Sequence, residues 1–141
     1  VTKYLVDTNV SSELSRERPE PKVLAFIANA DQATLFLSVM TVGEILKGIN
    51  NLPSSKKRSD LQSWLDNDVR PWFAGRILPV TEGIAARWAS LSALSKLRGQ
   101  PLAVVDGLIA ATALEHDLTL ATRNVRDFTG FGIPLINPWE I

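Results

Sequence analysis

Short apolar runs alternate with longer stretches of helical spacing along the 141 residues. Tyr4, Leu5 and Val6 read as a brief strand that stops at Asp7-Thr8-Asn9. A short helix through Ser12, Glu13 and Leu14 is broken by Pro19 and Pro21, and residues 23–28 give a second helix. Residues 35–39 form an apolar strand, and 41–49 a helix with Ile45 and Ile49 one turn apart. A polar loop over 53–57 precedes a helix over 59–73, in which Leu61, Trp64, Leu65 and Val69 keep core spacing. Residues 76–80 are a strand, and Thr81 caps a long helix whose Ile84, Trp88, Leu91 and Ser95 share a face and which Gly99 ends. Residues 105–116 make a helix apolar on nearly every side, which predicts burial at the centre of the fold. Strands over 118–121 and 135–136 complete the chain. Strands separated by helices need crossover connections, so the pattern predicts one α/β domain over residues 1–141. Its sheet is mainly parallel and covered on both faces.

Composition narrows the chemistry. There is no cysteine, which excludes a disulfide framework, a thiol nucleophile and a cysteine-bound zinc, and suits a reducing cytoplasm. No apolar run approaches the roughly 18 residues of a membrane span, and no charged-then-apolar leader precedes Asp7, so a cytoplasmic location without membrane contact is expected. The formal net charge is zero, from 15 basic and 15 acidic residues, which argues against a uniformly basic nucleic-acid-coating protein. Gathering four acids into one cleft leaves 11 acidic residues against 15 basic ones elsewhere, a net of +4 on the remaining surface. A mildly positive rim around an acidic cleft suits a phosphate backbone.

Four acids stand where such a cleft would form. In an open parallel sheet, ligands bind beyond the carboxyl ends of the strands. Asp7 closes the first strand, Glu44 lies on the first turn of the helix after the second, Asp106 begins the buried helix, and Asn124 and Asp127 follow the strand that ends at Ala121. Each also has a structural use. Asp106 suits a helix cap, Thr41-Val42-Gly43-Glu44 suits a capping box, and Asp127 before Phe128 suits a turn. Asp7 is the hardest to assign a structural duty. Carboxylates so gathered repel one another unless a proton or a hard divalent ion intervenes. The single histidine, His116, reads as a residue at a helix C-terminus, and one histidine cannot run a two-histidine ribonuclease mechanism. Arg123 and Arg126 beside the cleft are candidates for phosphate contact. Lys56-Lys57-Arg58 reads as a solvated loop, and the four tryptophans as packing, with Trp139 undecided.

The motifs occur in a recognisable order. Leu5-Val6-Asp7-Thr8-Asn9, the stretch 38–44, Asp106-Gly107-Leu108-Ile109-Ala110, Ala121-Thr122-Arg123-Asn124 and Asp127-Phe128 together resemble the PIN-domain family. More narrowly the chain is similar to the VapC toxins of bacterial toxin–antitoxin pairs. Residues 73–79 and the closing Asn137-Pro138-Trp139 resemble the FitB-type branch. The resemblance spans essentially the whole chain. It implies a three-layer α/β/α fold, dependence on Mg²⁺ or Mn²⁺, and endonucleolytic cleavage of RNA to 5′-phosphate and 3′-hydroxyl ends by water activated at the metal. It also implies a homodimer held silent by a cognate antitoxin, with DNA contacted only through that antitoxin. Position by position, Asp7 and Asp106 match the metal-holding acids and Glu44 the second acid. The fourth place falls on Asn124 or Asp127, and Asp127 is favoured because only it brings charge. Thr8, Asn9, Thr122 and Asn124 are supporting residues.

Two other function classes compete. One is a PIN-type nuclease that is not a toxin and acts on RNA or DNA. The other is a catalytically weak domain serving a DNA-bound repressor complex. A phosphatase of the aspartyl-phosphate type is disfavoured, because the place of its general acid holds Asn9. For the antitoxin, the segment 11–21 and the helix starting at Thr41 are expected to form a groove, through which a basic side chain reaches the acids.

Overall fold

The computed structural model describes residues 1–141. Five strands, β1 (Tyr4–Val6), β2 (Leu35–Ser38), β3 (Ile77–Leu78), β4 (Thr119–Ala121) and β5 (Leu135–Ile136), form one sheet in the order β3-β2-β1-β4-β5, with every pair parallel. The helices are α1 (Thr8–Glu13), α2 (Pro21–Asn29), α3 (Val39–Asn50), α4 (Lys56–Trp64), α5 (Arg70–Trp72), α6 (Glu82–Arg98), α7 (Val104–Glu115) and α8 (Val125–Phe128). The three-layer α/β/α arrangement is thus as expected, with a sheet that is wholly parallel.

Side-chain alternation on the strands separates the two faces. Leu5 and its register partner Leu120 pack with Ile84 and Leu91 of α6, the Ile109–Ala113 stretch of α7 and Phe128. Val6, Leu35 and Leu37 point the other way, onto Val10, Val23, Ile45, Ile49, Leu65 and Val69. The α6–α7 contact is close because residue 107 is glycine. A Cβ there would stand 2.9 Å from Trp88 Cδ1, nearer than carbon atoms pack.

Several boundaries differ from the sequence pattern, each for a local reason. Helix α1 starts directly at Thr8, because the Asp7 carboxylate accepts the Thr8 N–H at 2.8 Å. Helix α3 starts at Val39, capped by Ser38 Oγ on Met40 N–H at 3.0 Å. The capping box expected at Thr41–Glu44 is therefore absent, and Glu44 sits on the second turn. Lys56, Lys57 and Arg58 belong to the first turn of α4, which Ser55 caps, and do not form a loop. The helix expected over 59–73 widens into a π turn at Leu65–Val69, next to Pro71, which has no N–H to continue the ladder. β3 is confined to two residues, since only Leu37 and Ser38 pair with it.

Candidate active site

Strand connections leave β1 toward β2 on one side and return to β4 on the other, so the sheet's switch point lies at the carboxyl ends of β1 and β4. The register pairs Val6 with Ala121, and Asp7 N–H donates to Ala121 O at 2.9 Å. Asp7 and Thr122 are thereby neighbours although 115 residues apart.

Asp7 is 4% exposed and fully engaged. Besides the Thr8 N–H on Oδ1, its Oδ2 accepts the Thr122 hydroxyl at 2.7 Å and Asn9 Nδ2 at 3.4 Å. Thr122 Oγ1 in turn accepts from Asn9 Nδ2 at 3.3 Å and Asn124 N–H at 3.0 Å, so its own proton is committed to Asp7. Asn9 Oδ1 accepts the Arg123 N–H at 3.1 Å, tying α1 to the loop after β4. On the other flank, the Thr8 hydroxyl donates to Glu44 Oε1 at 2.6 Å and shares a 3.2 Å hydrogen bond with buried Thr41. Thr41 had the sequence signature of a cap, and its task of backing Thr8 was not legible there. The aspartate that seemed to have no structural duty does have one, as the cap of α1.

Asp106 occupies the first turn of α7, three residues after the N-cap Ala103, and caps nothing. Burial first, then the charges of Asp7, Glu44 and Asp127, push its carboxyl up from 3.8 to about 6. The carboxyl of Asp7 is also raised, mainly by burial, against the lowering effect of its hydrogen bonds. The fold therefore brings Asp7, Glu44 and Asp127 within electrostatic reach of Asp106, and Glu44 within reach of Asp7. Asp127 lies on α8, where it is exposed, and Asn124 is the N-cap residue of that helix with no side-chain capping bond. No three acidic side chains stand close enough to close on an ion as they are. An ion that binds through one or two carboxylates and keeps its waters does not require that they should. The donors are all hard oxygens. His116 is the C-cap residue of α7, some 15 Å of helix from Asp106 at 1.5 Å per residue, and lies outside the site. Both arginines are exposed. Arg126 sits on α8, whereas the Arg123 guanidinium lies 5.0 Å from the Trp139 ring centroid, which turns Trp139 into a packing partner.

The raised carboxyls carry a sign for stability. Asp106 binds its proton more readily in the folded chain than in the unfolded one, so its contribution falls as pH rises from about 4 through about 6 and is flat above. In chelator, the melting temperature of Asp106→Asn relative to wild type should be near its baseline at acid pH, rise through that window and level off. Saturating Mg²⁺ should reverse the order. A melting difference that ignores pH would contradict the crowding of these acids.

The model of the PIN domain family matches residues 4–131, which span β1 to β4 and all four acids. The chain belongs to the PIN-domain family. Toxin FitB of Neisseria gonorrhoeae is 40% identical over 136 residues, covering 96% of this chain and 98% of that protein. VapC ribonuclease Y4jK of Sinorhizobium fredii is 40% identical over 136 residues, covering 96% and 97%. The solved structure of FitAB bound to an IR36 DNA fragment superposes with a TM-score of 0.91 at 38% identity, covering 98% of this chain and 96% of that one. Within the family, the chain falls in the branch of VapC and FitB toxins. No helix is long and apolar enough to cross a membrane.

Proposed function

We propose that this chain is the toxin of a toxin–antitoxin pair and an endoribonuclease that hydrolyses RNA with Mg²⁺ or Mn²⁺. The observation that carries the reading is the Asp106 carboxyl, held near 6 by burial and by Asp7, Glu44 and Asp127 at the switch point of the sheet. Such a site gains most from a hard cation. Asp7 and Asp106 would hold the ion, which when bound supplies charge neutralisation and a more acidic water. Glu44, held by Thr8, and Asp127 would orient water at the reacting phosphate. Thr122 and Asn9 hold the Asp7 carboxylate in place by hydrogen bonds, and the Thr122 hydroxyl offsets part of the effect of burial. Arg126 on α8 and Arg123 in the loop after β4, both exposed, would contact phosphate.

The antitoxin would bind an apolar surface beside α1. An apolar groove of about 590 Å³ runs between α1–α2 and the α4–α5 arm, lined by Leu14, Leu24, Ile27, Trp64 and Trp72. A partner helix filling it could send a basic side chain among the acids. The groove expected between segment 11–21 and α3 also exists, with Arg16, Glu17, Arg18, Glu44 and Lys57 among its lining residues. DNA is reached through the antitoxin. Leu94, Leu97 and Val104, all exposed on α6 and α7, suit the contact with a second copy, and a homodimer would sediment at twice the 15.5 kDa chain mass.

The purified chain should cut RNA with Mg²⁺ or Mn²⁺ and stop in chelator, while Asp127→Asn should slow single-turnover cleavage more than Asn124→Ala. Metal-independent cleavage would end the mechanism. A crippled Asn124→Ala beside an active Asp127→Asn would exchange their roles.

A further inference from the structure

We propose that the turn joining α1 to α2 anchors the phosphates of a single-stranded RNA, with Glu13 as the residue that positions Arg16 for it. This deepens the nuclease reading and rests on it. Glu13 is 5% exposed at the end of α1, outside the acidic cluster, and the reaction has no use for it. Its carboxylate accepts the Glu20 N–H at 2.8 Å and Arg16 Nη1 at 3.1 and 3.4 Å. The Glu20 N–H first, and the Arg16 and Arg123 cations as well, hold its carboxyl below the ordinary value, so it stays charged. The Arg16 side chain is 64% exposed. Only Nη1 is engaged, which leaves Nε and Nη2 of the fork for an oxyanion.

Two clefts meet at this turn. One, of about 740 Å³, is lined by Glu44, Arg16, Arg18 and Lys57, with Glu17 also on its wall. The other, of about 440 Å³, lies toward Arg123 and Trp139, with Glu20 on its wall. Arg16 and Arg18 line both, and so form a basic ridge along one flank of the acidic site. The acids repel a polyanion, and Arg16 and Arg18 on the wall of the cleft that holds Glu44 offset that repulsion. Lys57, which the sequence pattern put in a solvated loop, belongs to α4 and lines the same cleft. Arg123 covers one face of Trp139 and Trp64 stands on the wall of the larger cleft, while the arginines of the ridge supply the cations for phosphate. The ridge holds backbone. An apolar protein segment is better served by the neighbouring groove.

The test is fluorescence anisotropy of a short labelled single-stranded RNA of mixed sequence, in chelator, over a range of salt. Cleavage cannot run there, so the outcome is separate from that of the metal-dependent assay. Arg16→Ala and Arg18→Ala should each weaken binding about tenfold and reduce the salt slope by about 0.7, the value for one lost single-strand phosphate contact. Lys96→Ala, on α6, should change neither. Glu13→Gln adds a positive charge overall, so a pure charge effect would tighten binding. A positioning role predicts about threefold weaker binding with a flatter salt slope. Should Glu13→Gln not fold, the two exposed arginines still decide the matter. Unchanged affinity and slope in both arginine variants, tightening by Glu13→Gln, or preference for an acidic polyglutamate peptide over RNA would overturn the proposal.

Discussion

Asp106→Asn should abolish RNA cleavage, by about a thousandfold or more, while the metal-free protein melts higher than wild type. The first effect follows from removing one of two charges that would hold the ion, a loss of about 4 kcal/mol of transition-state stabilisation at 1.36 kcal/mol per tenfold. The second follows because the carboxyl makes no side-chain hydrogen bond that the variant would lose, and its charge is crowded by three others. Asp7→Asn should be equally inactive but should not gain stability. Both Asp7 oxygens accept, from Thr8 on one side and from Thr122 and Asn9 on the other. An amide puts a donor against donors, which costs about 1–3 kcal/mol for an unsatisfied buried group. Single-turnover cleavage and thermal melts in chelator measure both effects. A fully active Asp106→Asn enzyme would remove the site as assigned.

Expression of the chain alone should arrest bacterial growth within a few doublings, and Asp106→Asn should not. Co-expression of the antitoxin encoded beside it should restore growth. The apolar groove sharpens this. Leu24 is 43% exposed on its wall, so Leu24→Arg leaves the core intact while placing an unpaired cation where an apolar partner would dock. The Leu24→Arg toxin should therefore arrest growth as wild type does and resist rescue. Rescue of that variant at wild-type level would move the antitoxin to another face. Unhindered growth despite confirmed expression of active enzyme would remove the toxin reading and leave the nuclease one standing.

Much of this was written in the order of residues. Alternating strand and helix periods indicated the parallel sheet, and Asp7 at the end of a three-residue apolar strand indicated where its ligand edge lay. The apolar helix carrying Asp106 was legible from its lack of a polar face, because only a buried helix tolerates one. The PIN-like order of motifs matched Asp7, Glu44 and Asp106 to family positions and left the fourth between Asn124 and Asp127. Helix starts were less legible. Thr41–Glu44 has the letters of a capping box, yet Ser38 three residues earlier takes the cap, because β2 ends there and its hydroxyl meets Met40 N–H first.

Local sequence determined the elements, the exclusion of thiol and two-histidine chemistry, and the acids available for a site. Tertiary structure decided which of those acids feel one another, since a carboxyl is raised only by burial and by charges that the fold brings near. It also decided what each supporting side chain does. Thr122 and Asn9 meet at Asp7 only because β4 lies parallel to β1 with Ala121 beside Val6. Glu13 is one acid among 15 in the sequence. Only the turn that brings the Glu20 N–H and Arg16 onto it makes it a buried anchor, because hydrogen bonds across a turn depend on its path through space and leave no periodic trace in the chain.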